Sequence, residues 1–119
     1  MREVKIGRQK YTKVVVLDEP GHGGACHEYR VISVNDPAGE ATAARVSFQN
    51  GPIKEYGING CRQEDLLAIV LDRLESFQAG EWRCRENALA ITKIEEAMHW
   101  LNHRTKARID RGVEGTNAK

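Results

Sequence analysis

The feature that most constrains this chain is a run near its end in which Asn87, Ile91, Ile94, Met98, Leu101, Thr105 and Arg108 recur at alternating four- and three-residue steps. Such spacing returns side chains to one face of an α-helix and excludes a strand, whose faces alternate at every residue. It predicts a helix from about Arg85 to Asp110, about 39 Å long at ~1.5 Å per residue. A second stripe, Leu66, Leu67, Val70, Leu71, Leu74 and Phe77, predicts a helix from about Arg62 to Gln78, with Asn59 expected near its start as the N-cap and Gly80 as its stop. Only Ala79 to Arg83 separate the two, so they run antiparallel as a hairpin. The longer seam outruns the shorter helix by about eight residues, and pairing of the long helices of two chains is expected to bury the remainder.

Upstream the pattern is strand-like. Val4 and Ile6, then Tyr11 to Leu17, then Tyr29 to Val34 are β-favouring stretches broken at Gly7 and at Glu19-Pro20-Gly21. A turn is expected at Asn35-Asp36-Pro37, and a further strand from Ala44 to Gln49 ends at Asn50-Gly51-Pro52. Pro52 to Gly60 reads as a glycine-rich polar loop. The fold class is α+β: a small antiparallel sheet of about four strands over about 1–52, followed by a two-helix hairpin over about 62–110 and a short tail, 112–119. The whole reads as one domain of 119 residues that dimerises through its long C-terminal helix. The tail has Val113 as its one apolar anchor and is expected to be partly disordered unless a partner holds it.

Charge narrows the function. Eighteen Lys and Arg stand against seventeen Asp and Glu, a net charge of +1, which provides no bulk field for a long nucleic acid or an anionic membrane. No apolar run reaches bilayer length and no signal-peptide core is present, so a soluble cytosolic protein is expected. Three cysteines, Cys26, Cys61 and Cys84, stand in no metal-ligand spacing and read as free thiols.

The candidate chemical groups are few. His22, Cys26, His27 and Glu28 cluster in and beside a glycine-rich stretch, but their spacing matches no standard metal site, and solvated turn residues are the simpler reading. His99 and His103 share a helical face as two zinc ligands would, yet Trp100 stands where a general base would sit and no third ligand is evident. No nucleophile signature accompanies them, so neither a metal nor a cofactor is expected.

The polar members of the long seam are more informative. Asn87 and Arg108 lie on the apolar stripe itself, with Arg104 on its flank. Either the arginines pair with surface carboxylates, or they face a ligand. Asn87 and Arg104 are seventeen residues apart, about 25 Å along one helix, too far to meet on one small molecule. Two antiparallel long helices would bring the Asn87 end of one chain to the Arg104 and Arg108 end of the other, and would do so twice. Phe77, which also completes its own helix's apolar face, falls near Asn87 at the hairpin turn. Aromatic face, amide and two guanidinium groups together suit a phosphorylated nucleotide: stacking, edge reading and bidentate phosphate contacts.

The run Ser47-Phe48-Gln49-Asn50-Gly51-Pro52-Ile53-Lys54-Glu55, then Gly57-Ile58-Asn59-Gly60, Glu64-Asp65-Leu66, Asp72-Arg73-Leu74, Phe77-Gln78, Cys84-Arg85-Glu86-Asn87-Ala88, Thr92 to Ala97, Trp100-Leu101, Arg104-Thr105 and Arg111 to Thr116 resembles the first family of phage Thoeris anti-defence proteins. The resemblance spans about Lys5 to Thr116 and is most specific in the second half. It implies a non-enzymatic sponge in the cytoplasm of the infected bacterial host. Such a protein sequesters, without cleaving, the glycocyclic ADP-ribose signal of TIR-domain immunity. It implies ligand contacts at Phe77, Asn87, Arg104 and Arg108, and assembly as a homodimer or a homohexamer built from three dimers. It further implies that cyclic di- or trinucleotides of CBASS immunity bind some members at a separate site, as in the anti-CBASS sponges that share the hairpin; Lys54, Arg62, Arg111 and Thr116 are the candidates there. The competing readings are an enzyme that degrades the same signals, with His99 or His103 as acid or base, and a structural oligomerisation module.

Overall fold

A computed structural model describes residues 1–8, 10–36 and 42–119. The chain forms a four-stranded antiparallel sheet followed by helices, and it divides into two compact units, Met1–Cys61 and Arg62–Lys119.

In the first unit, β1 (Arg2–Glu3), β2 (Thr12–Val16), β3 (Glu28–Ser33) and β4 (Thr42–Ser47) follow one another across the sheet in chain order. Val14 lies opposite Val31 and Val16 opposite Tyr29, so β-branched and aromatic side chains meet as cross-strand pairs. Val15, Val16 and Ile32 are buried to within 2% of full coverage and form the heart of this unit. Between Val31 and Ile32 the register shifts, leaving Ala43 as an extra residue in β4, a bulge that bends that strand. The expected turn begins as read, with the Asp36 N–H donating to the Ser33 carbonyl at 3.1 Å; Pro37 lies outside the described residues.

Two polar side chains hold the irregular segments. The Asp18 carboxylate accepts the backbone N–H groups of His27 at 2.9 Å and Glu28 at 3.0 Å, closing the glycine-containing segment between β2 and β3. Desolvation pushes the Asp18 carboxyl up, but the N–H groups of Glu28 and His27 outweigh it and hold it below its ordinary value. The Gln49 amide donates to the carbonyls of Gly51 at 3.1 Å and Gly57 at 2.8 Å and accepts the Asn59 N–H at 2.9 Å. Within the segment it spans, α1 (Ile53–Tyr56) is a single helical turn where the sequence reads as loop. A Cβ on Gly60 would lie 2.4 Å from the Phe48 carbonyl carbon, so only glycine lets the backbone pass there.

The second unit is a hairpin of α2 (Gln63–Gln78) and α3 (Arg85–Asp110), which pack against each other. Along α3 the seam residues Asn87, Ile91, Ile94, Met98, Leu101, Thr105 and Arg108 are all half-buried and, Ala90 apart, lie between exposed neighbours. The expected start of α2 needs correction: Asn59 is not its cap. Its side chain bonds both the N–H and the carbonyl of Asn50, at 2.8 and 2.7 Å, whereas Arg62 is the N-cap and its N–H donates to Asp65 at 2.8 Å.

The end of α3 is closed by glycine. Gly112, at φ 73°, lets its own N–H reach the Ile109 carbonyl and the Val113 N–H reach the Arg108 carbonyl, a Schellman termination. Among the described residues no helix is long and apolar enough to cross a membrane.

Two consequences are testable by urea unfolding. Gly60→Ala should abolish or severely weaken the cooperative transition of the sheet unit, and Ile32→Ala should cost about 2–5 kcal/mol. A third concerns acid. Lys5 and Lys13 bring the Glu3 carboxyl down from 4.5 to about 2, and Asp18 is likewise lowered. Carboxyls depressed by folding contribute stability that is complete above about pH 4.5 and is lost as the pH falls toward 2. The urea midpoint should therefore fall with acid over that range, and fall less in Asp18→Asn.

Candidate functional site

The hairpin turn is built from its own polar groups. α2 stops at Gln78, the Gly80 N–H donates to the Phe77 carbonyl at 3.2 Å, and the Gln78 side chain accepts the N–H of Cys84 at 2.8 Å. From the first turn of α3, Asn87 donates through Nδ2 to the Trp82 carbonyl at 3.2 Å. A carbonyl only accepts, so the amide nitrogen must face Trp82 and the Asn87 Oδ1 is left free as an acceptor. Phe77 stands half-buried in the last turn of α2, with the Arg73 guanidinium carbon 4.9 Å from its ring centroid. The indole of Trp82 is 76% exposed on this turn.

Arg104 and Arg108 belong to the other end of α3. They follow Asn87 by seventeen and twenty-one residues, about 25 and 31 Å along the helix. One chain therefore brings Phe77 and Asn87 to one end of the hairpin and the two arginines to the opposite end.

Arg104 is exposed and makes no hydrogen bond or ion pair among the described residues. Arg108 is half-buried and folds the tail. Its Nη1 donates to the Ala118 carbonyl, and its Nη2 donates to the carbonyls of Val113 and Thr116, each at 3.1 Å. Here the expectation of a partly disordered tail is corrected: the Arg108 guanidinium adds its hydrogen bonds to the one apolar anchor, half-buried Val113. Both bidentate edges of a guanidinium include Nη2, so while the tail holds both Nη2 hydrogens Arg108 has no free fork for a phosphate.

The metal candidates do not converge. His22 packs on Tyr56 with ring centroids 5.8 Å apart, the Cys26 thiol donates to the Asp18 carbonyl at 3.4 Å, and the Glu28 carboxylate accepts the Ser47 hydroxyl at 2.7 Å. The reading of these as solvated turn residues is corrected for two of them. Cys26 and His27 are buried, at 8% and 7% exposure, and His27 Nδ1 has no hydrogen-bond partner, lying 3.9 Å from Asp18 Oδ2. His99 and His103 are exposed and pack with Trp100 as an aromatic cluster, ring centroids 5.2 to 6.5 Å apart. Among the described residues no three His, Cys, Asp or Glu side chains gather as a metal site. Of the weaker candidates, Arg62 is paired with Asp65 and Glu64, at 3.5 and 3.8 Å, and Thr116 donates to the Val113 carbonyl. Lys54 and Arg111 are exposed.

Sequence comparison sets this geometry in a lineage. The family described as Acb2/Tad1, hairpin domain, matches residues 40–106. A protein of Bacillus phage SBSphiJ7 described as Thoeris anti-defense 1 is 50% identical over 104 residues, spanning 87% of this chain and 72% of that protein. The chain belongs to this family. The matched region holds the turn, Phe77, Asn87 and Arg104, whereas Arg108 and the tail lie beyond it.

The tail's dependence on one side chain can be checked directly. Arg108→Ala should release residues 113–118 and speed tryptic cleavage after Arg111 severalfold, with the helical circular dichroism retained. Equal cleavage rates would show that the tail is held by something else.

Proposed function

We propose that this protein is a phage anti-defence sponge that binds the glycocyclic ADP-ribose signal of TIR-domain immunity in the infected host cell and withholds it, uncleaved, from its effector. The family membership supports the anti-defence role. The observation that carries the ligand class is the pairing of an aromatic ring with an amide at the hairpin turn and two guanidinium groups at the far end of the same helix.

The 25 to 31 Å between those ends requires a second copy. In an antiparallel pair of α3 helices, Phe77 and Asn87 of one copy face Arg104 and Arg108 of the other, giving two equal clefts; three such pairs would make the hexamer. The base stacks on Phe77, Asn87 Oδ1 accepts from an amine or hydroxyl of the ligand, and the arginines hold the phosphates. Arg104 offers its fork directly. Arg108 does so once a phosphate replaces the tail carbonyls, exchanging neutral acceptors for charged ones, which is the stronger bond. Sequestration needs affinity and abundance alone; a nanomolar Kd corresponds to about −12 kcal/mol. No residue in this arrangement is asked to break a bond. Cyclic di- or trinucleotides would bind at a separate site.

The protein should retain glycocyclic ADP-ribose through gel filtration and return it chemically unaltered after heat denaturation; a converted product would identify an enzyme instead. Arg108→Ala should weaken binding by about 2–5 kcal/mol by isothermal titration, the usual cost of removing one partner of a buried charged bond. An unchanged Kd would remove Arg108 from the site. Sedimentation should report a dimer or hexamer.

A further inference from the structure

Arg73 stands out among the arginines of the hairpin. One helical turn before Phe77 on α2, it lies over the phenyl ring at 4.9 Å, within cation–π range. It is exposed and forms no hydrogen bond or ion pair among the described residues. Arg62 is paired with carboxylates and Arg108 with tail carbonyls, while Arg83, Arg85, Arg104 and Arg111 are, like Arg73, without side-chain partners among the described residues; what sets Arg73 apart is its seat on the ring. The ring restrains where the guanidinium sits, while all five of its N–H donors remain unused by the protein.

The turn beside it is fixed by the Gln78 to Cys84 and Asn87 to Trp82 bonds. An oriented cation with unengaged donors, set over the ring that would stack a base, is placed to meet the groups a nucleotide carries next to its base. We infer that Arg73 is a fifth ligand-binding residue, donating to a phosphate or ribose oxygen of the nucleotide whose base packs at Phe77. The inference rests on the sponge reading and adds to it a cation from the same copy that supplies the ring, whereas Arg104 and Arg108 would come from the other.

A pair of Arg and Phe four residues apart also stabilises a helix surface on its own, so the test must read affinity as well as folding. Isothermal titration with glycocyclic ADP-ribose at two salt concentrations would compare the unaltered protein with Arg73→Met, Arg73→Lys and Lys5→Met. Arg73→Met keeps an apolar stem over the ring and loses the charge. It should keep its circular dichroism, bind at least tenfold more weakly and show a shallower salt dependence. Arg73→Lys, a point charge without a fork, should recover part of the loss. Lys5→Met removes one charge from the sheet unit and should change little. Equal affinity and salt dependence in Arg73→Met would overturn the assignment while leaving the sponge reading standing, and so would an equal loss in Lys5→Met, since bulk charge would then explain it. If the unaltered protein failed to bind, the sponge reading would fall and Arg73 with it.

Discussion

The hairpin depends on a single seam of contact between α2 and α3. Every seam position on α3 is half-buried and, Ala90 apart, its neighbours are exposed, so the helices touch along one stripe and leave their other faces to solvent. A stripe of that kind fixes rotation: once Ile91, Ile94, Met98 and Leu101 face α2, the placement of every other α3 side chain around the axis follows. The polar residues at the two ends of the seam are therefore held where the apolar middle puts them. Asn87 is turned toward the loop and Arg108 toward the chain that leaves the helix.

Both end residues then use their polar groups to organise backbone beyond the apolar seam. Asn87 secures the turn through the Trp82 carbonyl; Arg108 secures the tail through three carbonyls and, by its own carbonyl, through the Val113 N–H. Residues in the candidate site thus already have structural work in the isolated chain, and in an unequal way. Asn87 keeps its acceptor free while its nitrogen is engaged, whereas Arg108 has both of its chelating edges compromised. In the proposed site, ligand contact at the amide would be additive, and at the guanidinium it would be an exchange. Arg104, without a side-chain partner among the described residues, would carry no such cost.

Much of this was legible in the residues and some was not, for identifiable reasons. The boundaries of α3 follow from a period sustained over 26 residues, and its seam needs only the 3.6-residue repeat. The beginning of α2 was not legible, because Asn59 and Asp65 both carry capping groups and the chain uses the acid from inside the helix instead of the amide before it. α1 is a single turn closed at Gly57, too short for any period to register. The burial of Cys26 and His27 depends on Asp18, eight and nine residues earlier, folding the intervening segment back onto its own N–H acceptor. The ordered tail was missed because composition counts apolar anchors, and a guanidinium adds its bonds to the one there is. Asn87 and Arg108 were legible as polar residues on an apolar stripe, and Arg104 as a cation on its flank; the seat of Arg73 on the Phe77 ring was not, because a four-residue spacing alone does not place a guanidinium over a ring.

In the proposed pair, the length of α3 would bear on specificity as well as assembly. A site whose halves lie at opposite ends of one rigid helix has its width fixed by the register in which two such helices cross. Shifting that register by one turn would move the arginines about 5.4 Å relative to the ring, comparable to the distance between neighbouring groups of a nucleotide. In the proposed pair, a change on the α3 face that meets the second copy would then alter which signal fits without touching a single ligand contact. Under that proposal, relatives that keep the ring, the amide and the guanidinium groups would differ in ligand preference through residues of that face, whose side chains need never meet the ligand.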